Sequence, residues 1–265
     1  MGANALDEQA VNRIFRAKGR PATSPLIVHC ADMAMARRFA AAWPDGAERL
    51  GERFWPGPLT LVLPKSDEIP FRVTAGLATV GLRVPRHPIA LALLRAAGVP
   101  IAAPSANPFM GLSPTEAKHV PASLADLILE GGPAEVGIES TVLSLVGTPR
   151  LLRPGMITLA ELEATLGSPI LGSPAADTPH ASPGLHAQHY SPQTPLYLVN
   201  PGHPLPPGRG IQLELPVDPD RYAQQLYAAL HDADHQGWDW IAIPPPPAAP
   251  AWDGIRDRLE RAQHP

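Results

Sequence analysis

Residues suited to binding phosphate occur early in this 265-residue sequence, in the run Lys18-Gly19-Arg20-Pro21. Lys18 and Arg20 lie two residues apart at the predicted end of a helix, so an extended chain would point both side chains to one side. Arginine grips phosphate oxygens in a fork, and lysine adds a mobile point charge. The run therefore predicts a polyphosphate contact, with a solvated basic helix end as the alternative.

Alternating residue types in the run Thr79–Val84 predict a strand with two different faces. Thr79, Gly81 and Arg83 share one face, and the aliphatic residues between them form the other. An arginine on a face of threonine and glycine can hold a carboxylate with two hydrogen bonds, although a surface salt bridge is the alternative. His29 follows another predicted strand, at the edge where α/β sheets place ligands, with a structural histidine as the alternative.

The run Ala102–Pro108 predicts a rigid polar loop that follows a buried strand. Its small residues let a ligand approach the backbone, two prolines stiffen it, and Ser105 and Asn107 offer polar groups. Ser113-Pro114-Thr115 continues the pattern. We interpret the loop as part of a binding site, with a structural turn as the alternative.

Three further runs are weak signals when each is taken alone. They are Glu139-Ser140-Thr141 before a predicted strand, Arg153-Pro154-Gly155 after one, and Tyr190 in a polar linker. The sequence contains no Walker loop and no dinucleotide glycine fingerprint. No nucleophile or general base can be assigned from spacing, so no catalytic residue of that kind is predicted.

Composition excludes several classes of protein. The net charge of −4 and the pI of about 6.2 argue against a general basic surface for nucleic acid. The single cysteine, Cys30, permits no internal disulfide and fits a reducing cytoplasm. His180, His186 and His189 lack a carboxylate or cysteine to complete a metal site. No apolar run is long enough for a membrane span and no signal peptide opens the chain, so we expect a soluble cytoplasmic protein.

Strands and helices alternate along the chain, which predicts the α/β class with a twisted, mixed parallel and antiparallel sheet. Hydrophobic periodicity and caps place the elements. The predicted helices are 7–18, one from Asp32, 48–54, 88–97, one capped by Thr158 and Glu161 and ending at Gly167, 222–231 and 255–262. The predicted strands are 26–28, 59–63, 79–84, 101–103, 127–129, 141–145, 196–199, 211–215 and 240–243.

The predicted domains follow from changes in composition. Residues 1–166 form a catalytic domain, 167–195 form a Ser, Pro and His-rich linker that serves as a lid, and 196–265 form a small Rossmann-like α/β domain. Residues 2–5 lead directly into the first helix with no strand before it, so we expect that an opening strand is absent and that the first domain is incomplete at its N-terminus.

Taken together, these runs resemble the YrdC-type L-threonylcarbamoyladenylate synthases, in the longer form that carries a second domain. The matching pieces cover nearly the whole chain in order: KGRP…PLIVH (18–29), FWPGPLTLVL (54–63), TVGLRVP (79–85), APSAN…SPT (103–115), ESTV (139–142), LLRPG (151–155), SPG…HYSP (182–192) and IRDRLERA (255–262). The family normally opens with a strand and a Pro-Thr-x-Thr-x-Tyr-Gly-Leu segment. This sequence begins where that segment ends, so we expect reduced activity.

The resemblance implies a reaction in which L-threonine, bicarbonate or CO₂ and ATP give threonylcarbamoyl-AMP and pyrophosphate, with Mg²⁺ accompanying ATP. The product would serve tRNA threonylcarbamoyladenosine modification through a downstream transferase complex. The implied ATP contacts are Lys18, Arg20, Ser24, Thr79, Ser105, Asn107, Ser113, Arg153 and Tyr190. The implied threonine contacts are His29, Arg83, the backbone of Ala103, and Ser140.

Two other hypotheses remain open at this point. An RNA-binding module would bind tRNA directly with a steep salt dependence, although the acidic pI counts against it. A catalytically impaired fragment or regulatory relative of the same family is the other, and it rests on the expected absence of the opening strand.

Overall fold

The protein is described here by a computed structural model that covers residues 1–172 and 189–264. These residues divide into two compact units: unit 1 comprises 1–105 and 140–172, and unit 2 comprises 106–139 and 189–264. The domain boundaries predicted from composition differ in one respect, since residues 106–139 belong with unit 2. Most of the predicted linker, including the Ser182-Pro183-Gly184 run, lies outside the described residues.

Unit 1 is built on a seven-stranded sheet in the order β1-β5-β2-β4-β3-β6-β7. The pairs β2–β4 and β3–β6 are parallel and the other four pairs are antiparallel, so the predicted mixed sheet is confirmed. Its strands are β1 (Ala3–Asn4), β2 (Ile27–His29), β3 (Leu59–Pro64), β4 (Thr79–Arg83), β5 (Ile101–Ala102), β6 (Thr141–Ser144) and β7 (Arg150–Arg153).

Helices of unit 1 begin and end at residues suited to those positions. Asp7 accepts hydrogen bonds from the first turn of α1, and Thr158 and Glu161 form the predicted capping box of α5. Gly19 closes α1 in the left-handed conformation that glycine adopts without steric cost. The helices are α1 (Glu8–Lys18), α2 (Met33–Arg38), α3 (Asp45–Phe54), α4 (Pro88–Ala97) and α5 (Leu159–Leu166).

The core of unit 1 lies between these helices and one face of the sheet. Val80, Leu82 and Val84 of the β4 run are buried, whereas Thr79, Gly81 and Arg83 between them are partly accessible. The two-faced strand predicted from the sequence is therefore confirmed. Cys30 is a buried thiol within the same core.

Unit 2 contains a parallel three-stranded sheet in the order β8-β10-β9, which confirms the predicted second α/β domain. Its regular elements are β8 (Leu196–Leu198), β9 (Gly210–Gln212), α6 (Pro219–Asp234), β10 (Trp240–Ile243) and α7 (Asp253–Ala262). Asp218 caps α6 by accepting from the Arg221 N–H. Residues 106–139 add two 3₁₀ turns and loops to this unit.

Two predictions about strands are wrong. Leu127–Leu129 forms no strand, and Leu127 is 77% exposed, because its aliphatic residues have no neighbouring strand that hydrogen-bonds to them. In addition, a strand does precede the first helix, since Ala3–Asn4 pairs antiparallel with β5. Ala and Asn have little strand propensity, so this pairing depends on tertiary context and the sequence pattern did not show it.

No helix of the described residues has the length and apolar character needed to cross a bilayer. Within the same residues, no group of three or more histidine, cysteine, aspartate or glutamate side chains is arranged to hold a metal ion.

Candidate ligand site

Strand register brings four predicted site residues to one edge of the unit 1 sheet. His29 at the end of β2 is the register partner of Arg83 at the end of β4. β3 runs antiparallel to β4, so its beginning lies at this edge, and the parallel pairing of Leu59 with Thr141 brings the start of β6 there. Ser140 directly precedes β6, and Arg153 ends the adjacent β7.

Arg83 places a positive charge at this edge. Its Nε donates to the Gly57 carbonyl at 3.0 Å, which fixes the plane of the guanidinium. Burial, together with the positive charge of Arg153, lowers the pKa of Arg83 to about 10. A guanidinium at such a pKa is still charged at neutral pH, so the unliganded protein holds two mutually repelling cations close together.

His29 is neutral at physiological pH. Burial and the positive charge of Arg83 lower the pKa of its imidazole to about 3. Its Nδ1 is buried and has no hydrogen-bond partner among the described residues. A buried polar atom in that condition is costly, and a ligand that supplies a hydrogen bond would relieve the cost.

Arg153 organises the start of β6 around Ser140. Its guanidinium donates to the Ser140 carbonyl at 3.0 and 3.1 Å and to the Ser140 Oγ at 3.2 Å. The Ser140 hydroxyl also lies 2.8 Å from Thr60 Oγ1 on the neighbouring β3. Ser140 is thereby held in one rotamer, which is what a binding hydroxyl requires.

Lys18 and Arg20 occupy the exit of α1, as predicted, but both are more buried than a solvated helix end would be. Lys18 is 4% exposed and its Nζ donates to the Ser105 carbonyl at 2.5 Å. Burial and the positive charge of Arg20 lower the pKa of Lys18 to about 7. Arg20 donates to the Ser24 Oγ at 2.5 Å and to the Pro25 carbonyl at 3.0 Å, so it also braces the loop before β2.

Thr79 lies on the accessible face of the sheet, at the opposite end of β4 from Arg83. It lines a small open cavity, together with Thr60, Gly81 and residues of β2 and β6. A Cβ at Gly81 would lie 3.2 Å from Thr60, so a larger residue would crowd this face. The Ala103 N–H donates to the Ile27 carbonyl at 3.1 Å, so a ligand contact by its backbone would use the Ala103 carbonyl.

The remaining predicted nucleotide contacts, Asn107, Ser113 and Tyr190, belong to unit 2. Asn107 Nδ2 donates to the Gly111 carbonyl at 2.7 Å. Ser113 donates to Glu139 at 2.6 Å. Tyr190 is buried and has a positive φ of 62°, which is uncommon for a residue with a side chain.

Sequence reasoning missed four polar residues that hold the predicted contacts in place. Thr60 was hidden inside the apolar run of β3 and read as core. Glu139 and Arg258 lie within the runs ESTV and IRDRLERA, which carry the family resemblance, but neither residue was assigned a role from the sequence, and Tyr227 has the pattern of an ordinary helix residue. A fully buried arginine is rare without a partner, but burial of Arg258 cannot be read from a helix rich in charged residues.

Comparisons with known proteins show which families the two parts of the chain resemble. Residues 1–155 match the Sua5/YciO/YrdC family, described as "Telomere recombination", and residues 157–263 match the family described as "Threonylcarbamoyl-AMP synthase, C-terminal domain". The chain is 47% identical over 207 residues to a threonylcarbamoyl-AMP synthase of Pyrococcus abyssi and 48% identical over 205 residues to one of Bacillus subtilis. Each alignment covers 75% of this chain and 61% or 59% of the relative.

A solved structure extends the similarity across both units. The crystal structure of P. abyssi Sua5 complexed with L-threonine superposes with a TM-score of 0.90 at 37% identity, covering 98% of this chain and 86% of that one. The aligned part spans about 60% of the length of the curated relatives. With the mixed sheet, the second domain and the family match over residues 1–155, these similarities show that the chain belongs to the Sua5/YciO/YrdC family.

Proposed function

We propose that the chain is a threonylcarbamoyl-AMP synthase, an enzyme that joins L-threonine, CO₂ or bicarbonate, and the adenylyl group of ATP. The observation that carries the proposal is the cationic edge of the unit 1 sheet, where the partly accessible Arg83 and the buried Arg153 repel one another. A protein keeps such an arrangement at a cost, and anionic ligands would offset it. Threonine and ATP bring a carboxylate and a triphosphate.

Threonine would bind at the edge formed by His29, Arg83 and Ser140. Arg83, with its guanidinium plane set by the Gly57 carbonyl, would hold the threonine carboxylate. His29 would use its buried Nδ1 for a hydrogen bond to the amino acid without adding charge, since it is neutral. The L-threonine that accompanies the P. abyssi protein of the same fold supports this assignment.

ATP would be held in part by the remaining cations of unit 1. Lys18 and Arg20 lie at the exit of α1, where Lys18 contacts Ser105 of the loop after β5, while Arg153 and Thr79 lie on β7 and β4. An ATP phosphate near Lys18 would raise the lysine pKa and keep the ammonium charged. Asn107, Ser113 and Tyr190 of unit 2 stay predicted nucleotide contacts on the strength of the family resemblance.

Mg²⁺ fits this site as a partner of the triphosphate. The described residues offer no group of three or more carboxylate, histidine or cysteine ligands, so the ion would be held through phosphate oxygens and water. When bound, it would neutralise phosphate charge. The protein's own contribution is the set of cations around the phosphates.

The proposed chemistry needs no covalent enzyme intermediate. The threonine amine adds to CO₂, losing a proton and forming an N–C bond, which gives a carbamate. A carbamate oxygen then attacks the α-phosphorus of ATP, and the bond from that phosphorus to the bridging oxygen breaks as pyrophosphate leaves. Fixed cations and hydroxyls suit this reaction, because they position the reactants and neutralise charge without reorganising.

The RNA-binding alternative is less well supported by the geometry. Proteins that bind the phosphate backbone of a nucleic acid present exposed cations. The cations of the candidate site are instead buried: Lys18, Arg20 and Arg153 are each less than 10% exposed. A cleft for a small anion accounts for them better than an RNA surface does.

The proposal also extends to cellular context. A threonylcarbamoyl-adenylate carries an activated acyl group, so a transferase that acts on tRNA would consume it. A cytoplasmic location follows from that partner and from the single buried thiol.

Product formation tests the proposal directly. The purified chain should convert ATP, L-threonine and ¹⁴C-bicarbonate into labelled threonylcarbamoyl-AMP and pyrophosphate, seen by chromatography and mass spectrometry. Omission of any one substrate should abolish the product. The proposed activity is wrong for this chain if ATP is cleaved equally well without threonine. It is also wrong if this chain forms no product under conditions in which an active relative, used as the positive control, does. In either case the impaired-relative hypothesis replaces it.

A further inference from the structure

A partly buried polar network in unit 2 surrounds the carboxylate of Glu139. Ser113 Oγ donates to Glu139 Oε1 at 2.6 Å, while Arg258 Nε donates to Oε2 at 2.7 Å. Tyr227 OH also donates to Oε2, at 3.2 Å. An oxygen pair that receives three donors is arranged for an ionised carboxylate, because a protonated acid would have to donate one of those bonds itself.

Arg258 is the buried partner that keeps the partly exposed carboxylate of Glu139 charged. Its side chain is 0% exposed and projects from α7 to both the side chain and the backbone carbonyl of Glu139. Burial alone would lower the pKa of Arg258, but its interactions with Tyr190, Glu139 and Asp257 raise it above its ordinary value. The guanidinium is therefore permanently charged and fixes Glu139.

Tyr227 supplies the third donor, and its protonation state is also fixed by its surroundings. Burial and the negative charge of Glu139 raise the pKa of Tyr227 well above its ordinary value, so its hydroxyl keeps its proton. Tyr227 and Arg258 can therefore only donate to Glu139, and Glu139 can only accept from them. The direction of every hydrogen bond in the network is therefore set.

The consequence concerns the hydroxyl of Ser113. A serine hydroxyl has one proton, and here that proton is committed to Glu139. Its oxygen keeps lone-pair capacity and can only accept a further hydrogen bond. A phosphate oxygen is an acceptor and cannot supply one, whereas a ribose hydroxyl or the adenine amine can.

We propose that Glu139 and Arg258 are positioning residues that polarise Ser113, so that Ser113 recognises a hydrogen-bond donor on the nucleoside and not a phosphate oxygen. The inference rests on the proposed function, because it assumes that Ser113 contacts the nucleotide. It assigns to α7 of the second domain a part in nucleotide selection that acts through one carboxylate.

Binding of ATP analogues to the unaltered protein tests the inference first. Calorimetry would compare ATP with 2′-deoxy-ATP, 3′-deoxy-ATP and purine riboside triphosphate, which lacks the adenine amine. We expect the analogue that lacks the donor accepted by Ser113 to bind roughly 5- to 100-fold more weakly, because a buried acceptor is left unsatisfied. That analogue identifies whether the sugar or the base is the source.

Variants then separate recognition from structure. Ser113→Ala should bind ATP and the discriminated analogue with equal affinity, and Ser113→Thr should restore the discrimination. Glu139→Gln and Arg258→Lys should reduce the discrimination and raise the KM for ATP, with the KM for threonine unchanged. Arg256→Met is the matched control on α7, since Arg256 bonds to Asp253 and the Pro247 carbonyl and should leave both values unaltered.

Two results would overturn the inference and they are distinguishable from failure of the proposed function. Normal ATP binding with no discrimination among the three analogues contradicts it, and so does a Ser113→Ala variant that loses inorganic tripolyphosphate binding as strongly as ATP binding. If the unaltered protein binds no ATP at all, the proposed function fails and the inference fails with it.

Discussion

The two units of this protein bury arginine in opposite ways. In unit 1, burial and a neighbouring arginine lower the pKa of Arg83, whereas in unit 2 acidic and phenolic neighbours raise the pKa of Arg258. The described residues of unit 1 carry fifteen Lys and Arg against ten Asp and Glu, a net +5, and those of unit 2 carry six against fourteen, a net −8. The same type of side chain is therefore a proposed ligand contact in one unit and an internal brace in the other.

This difference separates binding energy from folding energy. A cation kept beside other cations weakens the unliganded protein and gains its favourable interaction only when an anion arrives. A buried cation that a neighbouring carboxylate already neutralises contributes to folding, and its removal leaves that carboxylate without its ion pair. Substitutions of Arg83 and Arg258 should therefore change different observables.

The largest effect is expected from Arg258→Met. Removal of the guanidinium leaves Glu139 and Asp257 without their buried partner, so the free energy of unfolding should fall by ~3–5 kcal/mol in urea denaturation. The control Arg256→Met should change it by less than about 0.5 kcal/mol. If Arg258→Met costs less than about 1 kcal/mol, Arg258 is not a brace.

The second effect concerns Arg83→Met, which should spare the fold and impair binding. Loss of the hydrogen bond to Gly57 is offset by relief of the repulsion from Arg153, so the unfolding free energy should change by less than about 1 kcal/mol. Affinity for L-threonine should fall about 10- to 100-fold in calorimetry. Arg95→Met, an exposed arginine on α4, is the control for charge alone. If Arg83→Met lowers the melting temperature but binds threonine with normal affinity, Arg83 contributes to folding and not to binding, which would contradict the contrast drawn with Arg258.

A third effect follows from the lowered pKa of Lys18, about 7 in the unliganded protein. Anion binding needs the charged ammonium, so ATP affinity should fall about tenfold from pH 6 to pH 8, with uptake of a proton on binding. Between pH 7 and the ordinary lysine pKa, the unfolded chain holds more protons than the folded one, so the stability of the unliganded protein should rise with pH there. Lys18→Met should flatten both dependences, and unchanged slopes would show that Lys18 is not the titrating group.

The smallest effect is expected from Tyr227→Phe. The substitution removes one donor, 3.2 Å from Glu139, and leaves the bond from Arg258 in place. Unfolding free energy should fall by about 0.5–1.5 kcal/mol, and threonine affinity should not change. A loss as large as that of Arg258→Met would mean that the network fails as a unit when any member is removed.

Prediction from sequence succeeded where the signal was local. Alternation in Thr79–Arg83, the Asp7 cap and the Thr158 capping box each report on a few neighbouring residues, and the structure confirms all three. It failed for β1 and for Leu127–Leu129, because pairing with a distant strand decides whether a short segment is a strand. The pattern of residue types and the strand propensity of a short segment do not tell whether a distant strand pairs with it.

The candidate site divides along the same line. Arg83 and His29 could be singled out because the sequence predicts the strands β4 and β2 and places each residue at the end of its strand. The structure then shows that the two residues are register partners. The role of Thr60 could not be predicted, because this residue, which lies 2.8 Å from Ser140, is 80 residues away in the chain. The sequence also did not predict that residues 106–139 belong to unit 2, because the composition of the chain does not change at the ends of this segment.

The most direct test of the central claim is calorimetric titration with L-threonine and with L-threoninamide, which differ only in the carboxylate. If Arg83 holds the threonine carboxylate, the unaltered protein should bind the amide at least about tenfold more weakly, and Arg83→Met should bind both equally. Equal affinities for the two ligands in the unaltered protein would contradict the account.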